Sequence, residues 1–239
     1  MTRADPAAQA ELFDAAAVGK GDDLKLEPGA VVLRARAVAE APALLDAIER
    51  ITQAAPWRHM TTARGWRMSV ATTNCGYAGW LSDRSGYRYD AVDPLTGRPW
   101  PAMPELFASI ATSAARAAGF ANYEPDACLI NRYAPGARLT LHQDRNEQDF
   151  DAPIVSVSLG VPASFLWGGA TRADRPRRVR LEHGDIVVWG GPARLNFHGI
   201  DTLRESHHPL TGCMRFNLTL RRSGCSACGS ASEAPAKQS

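Results

Sequence analysis

Two periodicities divide the chain. Leu44, Leu45, Ile48 and Ile51 recur at helical spacing after Pro42, and Pro56 follows the stretch. A second stripe, Leu106, Phe107, Ile110, Ala111 and Ala114, runs between Pro104 and Gly119. Proline near a start lacks only a donor that the first turn cannot use. Glycine past an end takes the left-handed conformation that closes the last turn. Both stretches are predicted helices. From residue 126 onward the period shortens to two, with turn residues between the segments. Leu129–Tyr133, Leu139–Asp144, Ile154–Gly160, Ser164–Trp167, Val179–Leu181, Asp185–Trp189, Leu195–His198 and Met214–Arg221 read as strands. About eight short strands packed this densely predict an antiparallel double sheet, a jelly roll (double-stranded β-helix) with the two helices on its outer face. The fold class is therefore mainly β with flanking helices.

The remaining segments carry neither pattern. Residues 1–25 have no sustained apolar stripe and read as a flexible arm; 223–239 is rich in Ser, Gly, Ala and Lys and reads as a disordered tail. The stretch from Trp57 to Pro104 is loop-like and rich in Trp, Tyr, Arg and Gly, a composition that in a long irregular region points to function. The 239 residues, 45% hydrophobic and 22% charged, suit one domain with a real core. No apolar run spans a bilayer, and Met1 to Gln9 does not read as a secretion signal. Five cysteines in no paired arrangement predict a reducing cytoplasm. Cys225 and Cys228 have Cys-x-x-Cys spacing without a second pair, too few for a four-ligand zinc site. The net charge of +2 says little, but Thr171–Arg180 sets five arginines against one acid, a block suited to phosphates.

Alternation along strands brings the chemistry together. Side chains at i and i+2 share a face, so His142 and Asp144 are expected to project to one side. Arg215, Asn217, Thr219 and Arg221 form one face of the last strand, opposite Phe216, Leu218 and Leu220; Leu129, Asn131 and Tyr133 share a face of an earlier one. If these polar faces point inward, an arginine is buried, and a small dicarboxylate would pair with it through bidentate contact. A third metal ligand is needed. His198 follows a strand downstream of the His-x-Asp pair, whereas His183 lies in a turn where a structural hydrogen bond suits it better. Two histidines and one carboxylate suit non-haem iron(II) with open positions, or a hydrolytic zinc; the arginine favours iron with a dicarboxylate co-substrate.

Asn131-Arg132-Tyr133, His142-Gln143-Asp144 and Arg215-Phe216-Asn217-Leu218-Thr219-Leu220-Arg221 together resemble the signature of the AlkB-type nucleic-acid demethylases, a branch of the iron/2-oxoglutarate oxygenases. The resemblance extends over residues 57 to 222. It implies a nucleotide-recognition lid within an N-terminal extension, residues 26–125, on a dioxygenase core, residues 126–222. It implies His142, Asp144 and His198 as iron ligands, with Arg215, Asn131, Tyr133, Asn217 and Arg221 around 2-oxoglutarate, and oxygen as the oxidant. Trp80 and Tyr87 would meet the flipped base, His142 would stack on its other face, and Asn146, Glu147 and Arg172 would lie near the substrate. The implied reaction is oxidative demethylation of 1-methyladenine and 3-methylcytosine in DNA, preferably single-stranded, and in RNA, by a monomer. One departure stands out: relatives carry Asp-Glu where this chain has Asn146-Glu147, so an acceptor is kept while a charge is lost. Rival readings are an oxygenase of the same chemistry acting on RNA or protein, a nucleic-acid binder without catalysis, and a zinc hydrolase.

Overall fold

The chain, described from residue 21 to residue 224 in a computed structural model, opens with a hairpin of β1 (Leu24–Glu27) and β2 (Ala30–Leu33). Then follow α1 (Ala41–Ala54), β3 (Ala71–Gly76), the hairpin β4 (Gly79–Asp83) and β5 (Gly86–Asp90), the short pair β6 (Val92–Asp93) and β7 (Arg98–Pro99), and α2 (Glu105–Ala117). The rest is β8 (Ala127–Tyr133), β9 (Leu139–His142), β10 (Ile154–Gly160), β11 (Ala163–Trp167), β12 (Arg177–Leu181), β13 (Ile186–Trp189), β14 (His198–Ile200) and β15 (Arg215–Arg221). Seven strands form the major sheet in the order β1-β2-β13-β10-β15-β8-β3, and four form the minor sheet in the order β12-β11-β14-β9. Every pairing is antiparallel, which gives the expected double sheet.

Both helices form where the apolar stripes lie and extend beyond them, because alanines and polar residues at either end continue the turns without adding to the stripe. Their buried residues, among them Leu44, Ile48, Phe107 and Ala111, pack on one face of the major sheet against Ile130, Val155, Val157, Leu218 and Leu220. The opposite face of the same strands looks toward the minor sheet. At one end that space is filled by Ile154, Val187 and Trp189 against Phe165, Trp167 and Ile200. Elsewhere it holds Asn131, Arg215, Asn217, Thr219 and Arg221, every one of them buried. The polar alternation of β15 and β8 therefore points into the barrel and not to solvent.

Four expectations are corrected. The stretch from Trp57 to Pro104 contains five strands; β3 is buried almost throughout and its Thr-Thr-Asn-Cys run gives no apolar alternation to read. The N-terminal hairpin, partly assigned to a flexible arm, pairs with β13 and so becomes the edge of the major sheet. His198 opens β14, and Leu195–Phe197 lie outside any strand. The expected tail begins with two anchored residues, since the Ser223 and Gly224 N–H groups donate to the Asp126 carboxylate. The rest of that tail, with Cys225 and Cys228, and most of the expected arm lie outside the described residues. No helix among the described residues is long and apolar enough to cross a membrane.

Candidate active site

The metal-binding geometry comes from one edge of the minor sheet. His142 ends β9 and pairs in register with His198, the first residue of β14. Between His198 and Ile200 the register shifts, and Gly199 permits it: a Cβ there would stand 2.5 Å from the Leu139 carbonyl oxygen. The His142 Nδ1 faces the Thr140 carbonyl at 2.9 Å and the His198 Nδ1 faces the Asn196 carbonyl at 3.0 Å. A carbonyl only accepts, so both Nδ1 atoms carry the proton and both Nε2 lone pairs are free for a metal. Asp144 presents Oδ1 at 3.7 Å from the His142 Nε2 and Oδ2 at 3.7 Å from the His198 Nε2. The three donor atoms lie within 4.8 Å of one another.

Strand alternation is not what places Asp144, because β9 ends at His142. A buried ionic network does. Arg221 donates to Asp144 Oδ2 through Nε at 3.1 Å and Nη2 at 2.9 Å, and Arg194 donates to the Asp144 carbonyl at 2.9 Å. Burial alone would raise the Asp144 carboxyl, but Arg221, His198 and His142 outweigh it and hold it far below the usual carboxylate range. Burial, helped by His142, pushes His198 down to about 4, so its ring is a neutral ligand at physiological pH. Glu147 completes the network: its carboxylate accepts from Arg194 at 3.1 Å and from the Tyr89 hydroxyl at 2.6 Å, and lies 3.5 Å from Arg221. Two carboxylates thus balance two guanidiniums. Glu147, expected at the substrate, faces inward and supports Asp144; Arg221, expected at the co-substrate, also holds Asp144.

Deeper between the sheets lies an unbalanced cation. Arg215 is 1% exposed, donates through Nη2 to the Ser158 hydroxyl at 3.0 Å, and leaves its buried Nε without a partner. No carboxylate among the described residues forms an ion pair with it. Burial accordingly lowers its pKa, opposed by Tyr133 and Asp185. The Tyr133 ring lies 5.9 Å from this guanidinium, and burial pushes the phenol up to about 12. Asn131 donates to Asn217 at 3.4 Å, while Asn217 is bound to Ser156, Val157 and Thr219. Asn217 is thereby committed to the fold and positions Asn131. An unpaired guanidinium buried between the sheets, in the same fold as three converging metal donors, fits iron(II) with a bound dicarboxylate.

The aromatic hairpin faces the same region. Trp80 on β4 and Tyr87 on β5 stack with centroids 5.6 Å apart and planes 15° from parallel. The Trp80 indole N–H donates to Asn146 Oδ1 at 3.2 Å, and Tyr89 of the same hairpin reaches Glu147. The hairpin is thus bound to residues just beyond Asp144. Arg172 is exposed and donates to the Leu141 carbonyl at 2.9 Å, next to His142. Sequence reasoning missed Tyr89, Arg194, Ser158 and Glu27. Glu27 accepts from the Trp167 indole and the Asn196 amide, which flank His198. Tyr89 shares β5 with Tyr87 at spacing two, a readable signal; Glu27 had none. His183 accepts from the Gly160 N–H at 2.9 Å, the structural role expected of it.

A double-stranded β-helix with a His/Asp/His cluster and a buried arginine defines an iron(II)/2-oxoglutarate oxygenase. The model of the 2OG-Fe(II) oxygenase superfamily matches residues 29–221. An α-ketoglutarate-dependent dioxygenase AlkB of Salmonella typhimurium is 59% identical over 82% of this chain and 91% of its own length. Its Escherichia coli counterpart is 54% identical over 83% of this chain and 92% of its own. The solved structure of OsALKBH1 superimposes with a TM-score of 0.73 at 28% identity, covering 84% of this chain and all of that one. The chain belongs to the 2OG-Fe(II) oxygenase superfamily and, within it, to the AlkB family of α-ketoglutarate-dependent dioxygenases. Iron(II), 2-oxoglutarate and oxygen are its cofactor and co-substrates.

Proposed function

We propose that the protein removes N-methyl groups from 1-methyladenine and 3-methylcytosine in DNA, and also in RNA, with release of formaldehyde. The observation that carries this reading is the stacked Trp80–Tyr87 pair, tied to Asn146 two residues beyond Asp144, which offers a flat base an aromatic wall. A methyl on the pairing edge blocks Watson–Crick hydrogen bonds, so the damaged base is the cheapest to extrude. Single strands cost less still and are the preferred substrate. The protein acts as a monomer in the cytoplasm.

His142, Asp144 and His198 hold iron(II). Arg215 anchors the distal carboxylate of 2-oxoglutarate, with Tyr133 and Asn131 along its length. Asn146 accepts from the exocyclic amine of the base, and Arg172 meets the backbone beside His142. The metal, when bound, supplies oxidation of an N-methyl to an N-hydroxymethyl group, 2-oxoglutarate and oxygen giving succinate and carbon dioxide. The hydroxymethyl group then leaves as formaldehyde and the ring nitrogen keeps the electron pair. The protein's own residues fix the ligand tautomers, keep Asp144 ionised and present the base.

The test is succinate and formaldehyde formation on single- and double-stranded oligonucleotides carrying one defined methyl lesion, beside methylated RNA and peptide. Equal amounts of both products, dependent on the lesion and abolished by His142→Ala, are expected. Turnover on methylated peptide in place of oligonucleotide would overturn the reading.

A further inference from the structure

Outside the site, the largest exposed aromatic surface among the described residues is Trp66, 74% exposed in a closed turn. The turn is held by the Gly65 N–H to the Thr62 carbonyl at 2.8 Å, the Thr62 N–H to the Trp66 carbonyl at 2.8 Å, and the Trp66 N–H to the Thr62 hydroxyl at 3.2 Å. Gly65 takes a φ of +83°, which the tight reversal requires. The fold therefore holds a large apolar ring in water on a fixed support, although nothing in the packing of the core calls for it. Arg64 and Arg67 flank it and are exposed. Arg84, from the β4–β5 turn, reaches Gly65, its guanidinium 3.9 Å from where a Cβ would stand.

These three guanidiniums take part in no ion pair among the described residues. The arginine block that the sequence singled out behaves differently. There Arg178 pairs with Asp201, Arg180 with Glu182, and Arg172 and Arg177 donate to backbone carbonyls. Unpaired cations around an exposed tryptophan match a polyanion with flat bases, and match an acidic or apolar protein surface less well. The turn is also tied to the aromatic hairpin: the Ser82 hydroxyl donates to the Thr61 carbonyl at 2.7 Å, and Ser82 pairs across the hairpin with Tyr87. From Trp80 to the end of β4 at Asp83 is three residues of strand, roughly 10 Å at about 3.3 Å each, and Arg84 follows in the turn.

We propose that Arg64, Trp66, Arg67 and Arg84 form a second nucleotide-binding patch that grips the substrate strand a few nucleotides from the target base. Trp66 stacks on an unpaired base, and the three guanidiniums neutralise phosphates on either side of it. The proposal rests on nucleic acid being the substrate and extends the bound strand beyond the pocket.

The full-length protein, loaded with Mn(II), is titrated with a fluorescent single-stranded 12-mer carrying one 1-methyladenine, at several salt concentrations. Trp66→Ala is expected to weaken binding about tenfold, with Trp66→Phe restoring most of it. Replacing Arg64, Arg67 and Arg84 together by Gln is expected to reduce the salt slope by about 2, at roughly 0.7 per phosphate contact on a single strand. 2-Aminopurine placed at successive flanking positions is quenched at one of them by the wild type and not by Trp66→Ala. Wild-type affinity and salt slope in both variants, alongside lesion-dependent demethylation by the parent, would overturn the patch alone. A parent that neither binds nor demethylates the 12-mer overturns the patch together with the substrate assignment. The exposed positions keep folding intact, which unchanged melting temperatures verify.

Discussion

Replacing Arg215 by methionine is expected to make the ligand-free protein more stable while destroying its response to 2-oxoglutarate. The guanidinium is fully buried, makes one protein hydrogen bond, to Ser158, and has no carboxylate partner. An ion held this way costs several kcal/mol after relaxation, whereas a methionine of similar length can fill the space without charge. The lost hydrogen bond to a charged donor returns about 1.5–3 kcal/mol of that gain. The net expected is about 1–3 kcal/mol, which in a domain of this size raises the melting temperature by roughly 2–4 °C per kcal/mol. On the proposed assignment the dicarboxylate supplies the missing partner in the wild type. At 100 times its dissociation constant it stabilises by about 2.7 kcal/mol, and the variant loses this shift. Breaking such a buried pair costs about 3–5 kcal/mol, or roughly 10²- to 10⁴-fold in the 2-oxoglutarate requirement. The assay is a set of thermal melts with Mn(II), with and without 2-oxoglutarate, beside the KM for 2-oxoglutarate. A variant that melts below the wild type without ligand, yet still gains from 2-oxoglutarate, refutes the anchoring argument.

Glu27→Ala leaves the Trp167 indole and the Asn196 amide without their shared acceptor and loosens His198, whose Nδ1 proton rests on the Asn196 carbonyl. Mn(II) affinity is expected to fall about tenfold, with Glu27→Gln close to the parent; equal affinity in all three would remove the positioning role. Asn146→Asp keeps the acceptor for Trp80 and adds a charge, so the kcat/KM ratio of cationic to neutral lesions is expected to rise about fivefold, a gain near 1 kcal/mol. An unchanged ratio would show that Asn146 does not face the base. Partial burial lowers the His183 ring to about 4, with His208 adding to the effect. Its folded value lies below the unfolded one of about 6.5, so its stabilisation is present above that pH and is lost as pH falls toward 4. Melting temperatures across this window should drop in the parent and drop less in His183→Gln.

The parts of the fold legible in sequence were those in which a side chain reports its own environment. Phe216, Leu218 and Leu220 alternate with Arg215, Asn217, Thr219 and Arg221 because the two faces of β15 meet different layers, helices on one side and a polar cavity on the other. Local alternation cannot show where the chain leaves a strand. Asp144 sits beyond the end of β9, and its placement depends on Arg221, 77 residues away, and on Arg194, 50 away. The N-terminal hairpin escaped for a related reason: its pairing with β13 is decided by register across the whole chain, and Glu27 reaches Asn196 over 169 residues.

What the sequence does hold compactly is the link between metal and lid. His142 and Asp144 offer ligand atoms, Asn146 accepts from Trp80, and Glu147 accepts from Tyr89. Six consecutive residues thus carry two metal donors and two of the hydrogen bonds that tie the β4–β5 hairpin to the rest of the fold. Arg221 touches the carboxylates of both Asp144 and Glu147, so the charge that orients the metal ligand also orients the acceptor for the hairpin. A displaced hairpin would withdraw the Tyr89 hydroxyl from Glu147, freeing that carboxylate to compete with Asp144 for Arg221. The aromatic wall and the metal geometry are therefore coupled through one guanidinium, which alternation places inside the barrel without showing that it serves both carboxylates.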